Sequence, residues 1–112
     1  MNIQRFGSVI GLRPEMEERY RELHLAVWPS ILARLKASNV RNYSIYIAEI
    51  EGKKFLFSYL EYIGNDYDAD MKAIADDPQT RLWWQETDPC QTPLPDKSPG
   101  QWSALESVFF ME

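Results

Sequence analysis

The sequence predicts an α+β sandwich of the ferredoxin-like type, in which a four-stranded antiparallel sheet carries helices on one face. Segments of strand and helix character follow one another in the order β, α, β, β, α, β. The two middle strands are close enough in sequence to form a hairpin, and this order is typical of the ferredoxin-like arrangement. At 112 residues the chain fits one compact domain, so residues 1–112 are assigned to a single domain.

The N-terminal third is predicted to be a strand followed by two helical pieces. Residues 4–12 mix large apolar side chains with two glycines, which favours a strand. Pro14 and the glutamates after it are typical of a helix start. Because Pro29 lacks a backbone donor and disfavours helical geometry at Trp28, the helix should kink there or stop and restart. Apolar side chains recur at helical spacing on both sides of this break, at Met16, Tyr20, Leu23, Val27, Ile31, Leu32 and Leu35.

The middle of the chain is predicted to be a hairpin followed by a second helical region. Residues 40–50 alternate between two faces, which is typical of a strand. A short link containing Gly52 joins them to a second β-rich run at residues 54–62. Helical spacing then resumes after residue 66, is interrupted at Pro78, and continues as a short helix over residues 80–85.

The C-terminal part is predicted to be a long loop and a last strand. Residues 88–100 contain four prolines, which excludes a helix or an interior strand. Such a length without secondary structure is unusual in a compact domain and favours a functional lid or an arm over a neighbouring chain. Residues 104–111 are expected to form the last strand.

Composition excludes several classes of function. With 17 acidic and 12 basic side chains and a net charge of -5, nucleic acid is not an expected partner. The single cysteine, Cys90, cannot form an intramolecular disulfide, and one cysteine with one histidine is too few for a usual zinc site. No glycine-rich phosphate loop or nucleophile motif is present. The chain carries no signal-peptide pattern and no membrane-length apolar run, which predicts a soluble cytoplasmic protein without a membrane partner.

Five aspartates near the second helical region resemble a cation site in composition but lack the spacing of a calcium loop. We interpret them as solvated helix ends and expect no metal. They are Asp66, Asp68, Asp70, Asp76 and Asp77.

The segment from Tyr20 to Pro29 holds the single histidine and is the most promising place for chemistry. On a helix, Tyr20 and His24 are four residues apart and share one face. An imidazole ordinarily titrates near neutral pH, so His24 is the ordinary candidate for moving protons. Taken alone, the pair is more often structural, with its polar tips bonded locally.

Aromatic residues elsewhere could form the rest of a binding site. Trp83 and Trp84 are adjacent, so a regular helix cannot turn both toward the core, and one ring should lie near solvent or a cleft. Exposed indole rings suit stacking on the apolar face of a sugar. Tyr43 and Tyr46 fall on opposite faces of the second strand, so at most one faces His24, and the alternation does not say which.

Taken together, these residues resemble the L-rhamnose mutarotase family over nearly the whole chain. The matching pieces, in order and at similar spacing, are residues 20–24, Trp28-Pro29, residues 42–46, Trp83-Trp84 and Val108-Phe109. The resemblance implies small homodimers of the dimeric α/β barrel type that interconvert the α and β anomers of a 6-deoxy-L-sugar without a cofactor. It implies that His24 is the proton donor. It also selects Tyr43 over Tyr46, and the implied substrate contacts are Tyr20, Tyr43, Trp83 and Trp84.

Three features depart from the family pattern. Leu25 stands where Asn or Asp is usual, Ser30 stands where Glu is common, and the segment 88–91 resembles a variant branch. These departures leave the sugar open between L-rhamnose, L-fucose and a related deoxysugar. The general base also stays open between Tyr20, a carboxylate and a held water molecule.

The sequence supports two alternatives to a mutarotase. One is a non-catalytic sugar-binding or regulatory module in which His24 only donates a hydrogen bond. The other is a cofactor-independent monooxygenase, which rests on analogy of fold alone. Under each of them a homodimer is expected, because a sheet with helices on one face leaves the other face to be covered by a partner.

Overall fold

In the computed structural model, which describes residues 2–112, four helices pack on one antiparallel sheet. The strands are β1 (Gln4–Leu12), β2 (Val40–Ile50), β3 (Lys53–Tyr62), β4 (Gln91–Thr92) and β5 (Ser103–Leu105). The helices are α1 (Glu17–Leu25), α2 (Pro29–Ala37), α3 (Tyr67–Asp76) and α4 (Pro78–Thr87), with short 3₁₀ turns at Pro14–Met16 and Asp88–Cys90. Within residues 2–112, none of these helices is long and apolar enough to cross a membrane.

The sheet has the order β2-β3-β1, and the other edge of β1 is shared by β4 and β5. The described residues therefore form five strands rather than the four predicted. The expected last strand over residues 104–111 is wrong beyond Leu105, because the residues after it form no ladder of hydrogen bonds with β1. In the single chain these apolar side chains are not buried in a core, and Val108 and Phe109 are exposed.

The predicted helix boundaries are largely confirmed. Helix α1 ends at Leu25, Trp28 is extended, and α2 begins at Pro29, as the proline predicts. Asp66 and Asp77 cap α3 and α4 by accepting hydrogen bonds from the backbone N–H groups of Ala69 and Thr80.

One of the predicted solvated aspartates has a different role. Asp70 on α3 accepts hydrogen bonds from the Tyr62 hydroxyl and from the side-chain amide of Asn39 at 3.0 Å. It ties α3 to β3 and to the connection before β2, because both partners point toward α3. The interpretation of Asp70 as a solvated helix end is therefore wrong.

The proline-rich segment is less irregular than predicted. Its first residues form the 3₁₀ turn and then β4, which pairs with the end of β1 through Gly11–Thr92 and Leu12–Gln91. Gly11 permits this approach, since a Cβ there would lie 2.6 Å from the carbonyl oxygen of Thr92. The remainder, residues 93–102, has no helix or strand.

The two faces of the sheet are covered differently. On one face Ile10, Leu12 and Leu56 form a core with Tyr20 of α1 and with Cys90. On the opposite face, the cross-strand row Tyr46–Phe57–Val9 and the half-buried Phe55 carry apolar side chains away from the helices. The predicted α+β sandwich with helices on one face is therefore present, and its second face is open.

Candidate active site

Helix α1 brings Tyr20 and His24 together, as their spacing predicts. The two rings stack with centroids 4.2 Å apart and planes inclined by 25°. Tyr20 is only 4% exposed and belongs to the core against the sheet, whereas His24 is half-buried. A fixed phenol thus forms a wall for a more accessible imidazole.

In the imidazole of His24, Nδ1 is hydrogen-bonded to the main chain, and Nε2 has no hydrogen-bond partner among the described residues. Its Nδ1 lies 2.8 Å from the main-chain carbonyl oxygen of Tyr20. Because a carbonyl oxygen only accepts, Nδ1 carries a proton and donates it to this bond. Trp83 lies edge-on to the imidazole, with centroids 5.4 Å apart, and restricts its rotation. Nε2 is therefore the nitrogen available to exchange a proton with a ligand.

Helix α4 places its two adjacent tryptophans in different environments, as predicted. Trp83 is 7% exposed and packs edge-on against Trp28 at 5.2 Å, in a cluster with Leu23 and Ile31. Trp84 is 39% exposed and lies outside the cavity described below. The role of Trp84 as a substrate contact stays a prediction.

A β-bulge in β2 turns Tyr43 toward the helices. Arg41 pairs with Glu61, but Ser44 pairs with Tyr59, so β2 carries one extra residue between these pairs. Asn42 has a φ of 50° and donates a hydrogen bond to Glu61 at 2.8 Å. After the bulge, odd-numbered residues of β2 face the helices. The sequence did not reveal this shift, although asparagine is enriched at positive φ.

The same alternation sends Tyr46 to the opposite face of the sheet. Its hydroxyl accepts a hydrogen bond from Ser44 at 3.0 Å, on the side away from His24. Tyr43, by contrast, shares its face with Ile45 and Ile47. The Tyr43 side chain therefore faces the helices and that of Tyr46 does not, although both residues line the cavity described below. The choice of Tyr43 over Tyr46 as a substrate contact stays a prediction.

Four of the five predicted site residues line one open cavity of about 710 Å³. These are Tyr20, His24, Tyr43 and Trp83. The other lining residues are mainly apolar: Arg21, Leu25, Val27, Ile31, Leu32, Leu35, Ile45, Tyr46 and Ile47. An apolar cavity with a few convergent polar groups suits a small ligand that has both an apolar and a hydroxyl-bearing surface.

Arg21 was not predicted as a site residue. Its guanidinium forms an ion pair with Glu17 at 2.9 Å, one helical turn earlier, and Lys54 of β3 pairs with the same carboxylate at 2.9 Å. The bonds from Lys54 and Arg21 lower the pKa of Glu17. The four-residue spacing of Glu17 and Arg21 predicts an ion pair on a helix. It does not predict that Arg21 lines a cavity.

Burial keeps the Tyr20 and Tyr43 phenols protonated near neutral pH, because it raises the pKa of both. Burial raises the pKa of Tyr20, and the nearby Tyr43 hydroxyl raises it further, while the Gln91 amide opposes the shift. Tyr43 is 42% exposed as a whole residue, but burial of its hydroxyl also raises its pKa. Neither phenol ionises readily, so both are suited to hydrogen bonding rather than to acting as a general base.

No aspartate or glutamate is among the residues that line the cavity. In the part of the chain that the structure describes, no group of three His, Cys, Asp or Glu side chains is arranged to hold a metal ion. The titratable groups that face a ligand in the cavity are thus the imidazole, the phenols and the Arg21 guanidinium.

This fold and site define a small α+β domain with a largely apolar cavity beside its histidine, and comparisons with known proteins identify the family. A family model described as L-rhamnose mutarotase matches residues 5–111. An L-rhamnose mutarotase from Listeria monocytogenes is 31% identical over 109 residues, covering 97% of this chain and 99% of the relative. One from Ligilactobacillus salivarius is 32% identical over 111 residues, covering 96% and 97%.

The fold is also similar to a solved structure. The crystal structure of an L-rhamnose mutarotase from Formosa agariphila superimposes with a TM-score of 0.74 at 27% identity, covering 97% of this chain and 99% of that one. The chain belongs to the L-rhamnose mutarotase family, and it is accordingly an isomerase. The predicted family, fold class and enzyme class are confirmed.

Proposed function

We propose that this chain interconverts the α and β anomers of a 6-deoxy-L-hexose, with L-rhamnose as the preferred sugar, by general acid–base catalysis at His24. The observation that carries the proposal is the His24 imidazole itself. Its Nδ1 is fixed by the Tyr20 carbonyl at 2.8 Å, and its Nε2 is free in a cavity walled by aromatic rings. The names of the relatives support the choice of L-rhamnose.

The reaction needs two proton transfers that His24 can begin. The imidazolium donates its Nε2 proton to the ring oxygen while the bond from that oxygen to C1 breaks. The anomeric hydroxyl loses its proton, and C1 becomes an aldehyde carbon. Rotation about C1–C2 and closure from the other face reverse both transfers and give the other anomer. Since no carboxylate lines the cavity, we assign the second proton to a water molecule, reached directly or through a neutral phenol that gives its own proton to that water as it accepts the proton of the sugar.

The lining of the cavity supports a deoxysugar in particular. Ile45 and Ile47 of β2 and Ile31 of α2 offer apolar surface to the methyl group that replaces a hydroxymethyl group. Trp83 offers a ring for the C–H face of the pyranose, and the Tyr20 and Tyr43 hydroxyls offer hydrogen bonds to its hydroxyl groups.

Saturation-transfer NMR of anomeric exchange tests the proposal directly, with L-rhamnose and L-fucose compared side by side. We expect the wild-type protein to accelerate exchange of L-rhamnose more than that of L-fucose, because the relatives are L-rhamnose mutarotases. Binding of both sugars without acceleration would instead indicate the non-catalytic module. Absence of both binding and acceleration would contradict the proposed function.

We also propose that the working unit is a homodimer that buries the open face of the sheet. Tyr46 on this face is 60% exposed, and Phe55 and Phe57 lie beside it with centroids 6.5 Å apart. Near the C-terminus, Val108 and Phe109 are further exposed apolar side chains. A contiguous apolar surface of this kind is typical of an interface between subunits.

A further inference from the structure

We propose that the C-terminal segment of each subunit, residues 106–112, lies along the outer edge of β2 in the partner subunit and closes the His24 cavity beside Tyr43. This inference rests on the proposed function and on the proposed homodimer. It goes beyond burial of the open face of the sheet, because it makes each site depend on residues from the other subunit.

The His24 cavity is open at the outer edge of β2. Within residues 2–112, β2 pairs with β3 alone, so its other edge has no neighbouring strand. Tyr43 and Tyr46 both line the cavity although they lie on opposite faces of β2. A cavity contacts both faces of a strand only where it extends around a free edge. The described part of the subunit therefore leaves the cavity without a wall at this edge.

The C-terminal segment has the properties of a chain that is buried in an assembly. It belongs to no helix or strand, and its apolar run from Val108 to Met111 is exposed, with Val108 at 93% and Phe109 at 79%. Exposed contiguous apolar side chains are typical of an interaction surface. At about 3.3 Å per residue the extended segment spans up to ~23 Å, whereas packed sheets lie about 10 Å apart. The segment is therefore long enough to reach a second sheet.

The segment leaves the sheet toward the face that the partner is proposed to cover. Arg5 of β1 lies four residues before Val9 and shares its face, which is the open face. The guanidinium carbon of Arg5 lies 3.6 Å from the centre of the Phe110 ring, a distance typical of cation–π attraction. This contact holds the end of the chain on the open side of the sheet rather than on the side of the helices.

The register of the sheet indicates which part of β2 the segment meets in the partner. One row of paired residues crosses the sheet from β5 to β2: Leu105, Gly7, Tyr59 and Ser44. Because each neighbouring pair in this row is antiparallel, β5 runs antiparallel to β2. When two sheets pack face to face about a two-fold axis parallel to their strands, the β5 edge of each lies over the β2 edge of the other. The residues after Leu105 then run beside those that precede Ser44, where Tyr43 lies.

A segment in this position supplies what the open cavity lacks. Its backbone can add to the free edge of β2, the mode of recognition in which an extended chain extends a sheet. Its apolar side chains continue the lining formed by Ile45 and Ile47. Closure also excludes bulk water from the His24 imidazole, which strengthens its interaction with the sugar.

Mixed dimers test whether the segment acts on the site of the partner. A double variant with Val108→Asp and Phe109→Asp places two charges in the segment, at positions whose exposure in the subunit leaves its fold intact. With L-rhamnose below saturation, we expect its exchange rate to fall by about 10-fold through a higher KM, because an apolar wall is lost. A dimer of this variant with His24→Asn has one site that combines an intact His24 with an intact segment from the other subunit. It should recover about half of the wild-type rate.

Leu82→Asp, at an exposed position on α4, is the matched control for added charge and should keep the wild-type rate. A wild-type rate in the double variant would overturn the inference while leaving the proposed function intact. Mixed dimers that are no more active than their parents would do the same, since a segment that serves its own subunit cannot restore either site.

A nitroxide on the segment locates it without relying on activity. Attached to Met111→Cys, it labels the segment selectively, since the native Cys90 is fully buried. In dimers of one nitroxide-labelled subunit and one isotope-labelled subunit, we expect the amide signals around Tyr43 to broaden and those of the turn at Gly52, at the other end of β2, to stay sharp. Absence of broadening at Tyr43 would overturn the inference. Broadening in a protein without exchange activity would overturn the proposed function and leave the placement of the segment intact.

Discussion

At the scale of single residues, the sequence indicated the side chains whose chemistry is unusual and missed those whose role depends on backbone geometry. His24 and Tyr20 were predictable because one helical turn separates them, and Trp83 because adjacent tryptophans cannot share an environment. The role of Asn42 in the orientation of Tyr43 was not predictable. It depends on a bulge, which has no sequence signal as strong as a helical period.

A single carboxylate should influence the stability of the protein in acid. The hydrogen bonds from Tyr62 and Asn39 lower the pKa of Asp70 below its ordinary value of 3.8. A carboxyl group whose pKa is lower in the folded state stabilises the fold above its unfolded pKa, and this stabilisation is lost as the pH falls through the folded pKa. We therefore expect urea unfolding at pH 6 to show a clear loss of stability in Asp70→Asn, with a smaller difference from wild type below pH 3.

The matched control for this prediction is Asp68→Asn, which removes an exposed carboxylate from the same turn of α3. It should change the stability little at pH 6. If the difference between wild type and Asp70→Asn were constant over the whole pH range, the bonds to Asp70 would not be sensitive to its charge, and the account of this residue would be wrong.

At the scale of elements, the boundaries were predictable where proline or glycine imposes a local conformation. Pro29 and Pro78 begin α2 and α4, and the turn between β2 and β3 contains Gly52 at a φ of 78°. The last strand was wrong in its length because strand formation depends on a neighbour that the local sequence does not specify. The bulge in β2 was likewise invisible, since an extra residue changes the register without changing the β-rich composition.

The bulge links the conformation of Asn42 to the orientation of Tyr43, a proposed substrate contact. We expect Asn42→Val to destabilise the fold by about 1 to 2 kcal/mol, because a β-branched residue resists a φ of 50°. It should also raise KM for the sugar, since loss of the bulge would turn Tyr43 away from the cavity. Urea unfolding and anomeric exchange measure the two effects.

Asn42→Gly is the control, because glycine accepts a positive φ and removes only the bond to Glu61. The glycine variant should keep the KM of the wild type and lose less stability than the valine variant. Valine and glycine variants with the same stability and the same KM would show that the bulge does not place Tyr43.

At the scale of the whole molecule, the order of elements and the open face of the sheet determine the expected assembly. The ferredoxin-like order was predictable from the alternation of strand and helix patterns, and the covered face follows from the helices that cross over between strands. The partner on the other face could only be inferred, since an apolar surface indicates that something covers it and sequence patterns do not specify the geometry.

Charge on the open face should shift the protein toward monomers. We expect the wild-type protein to sediment as a dimer at micromolar concentration and Tyr46→Lys to sediment as a monomer, because burying an unpaired ammonium group in an interface is costly. Leu82→Lys, at an exposed position on α4, is the matched control and should remain a dimer. A wild-type protein that sediments as a monomer at this concentration would contradict the proposed assembly.

The central claim is that His24 exchanges the proton that opens the sugar ring, and anomeric exchange of L-rhamnose in the His24→Asn variant tests it most directly. Asparagine retains a hydrogen-bonding group of similar size but cannot transfer a proton near neutral pH. We predict that the rate falls by roughly 10²- to 10⁴-fold while chemical-shift titration still shows sugar binding. An exchange rate in His24→Asn within a few-fold of the wild type would contradict the account.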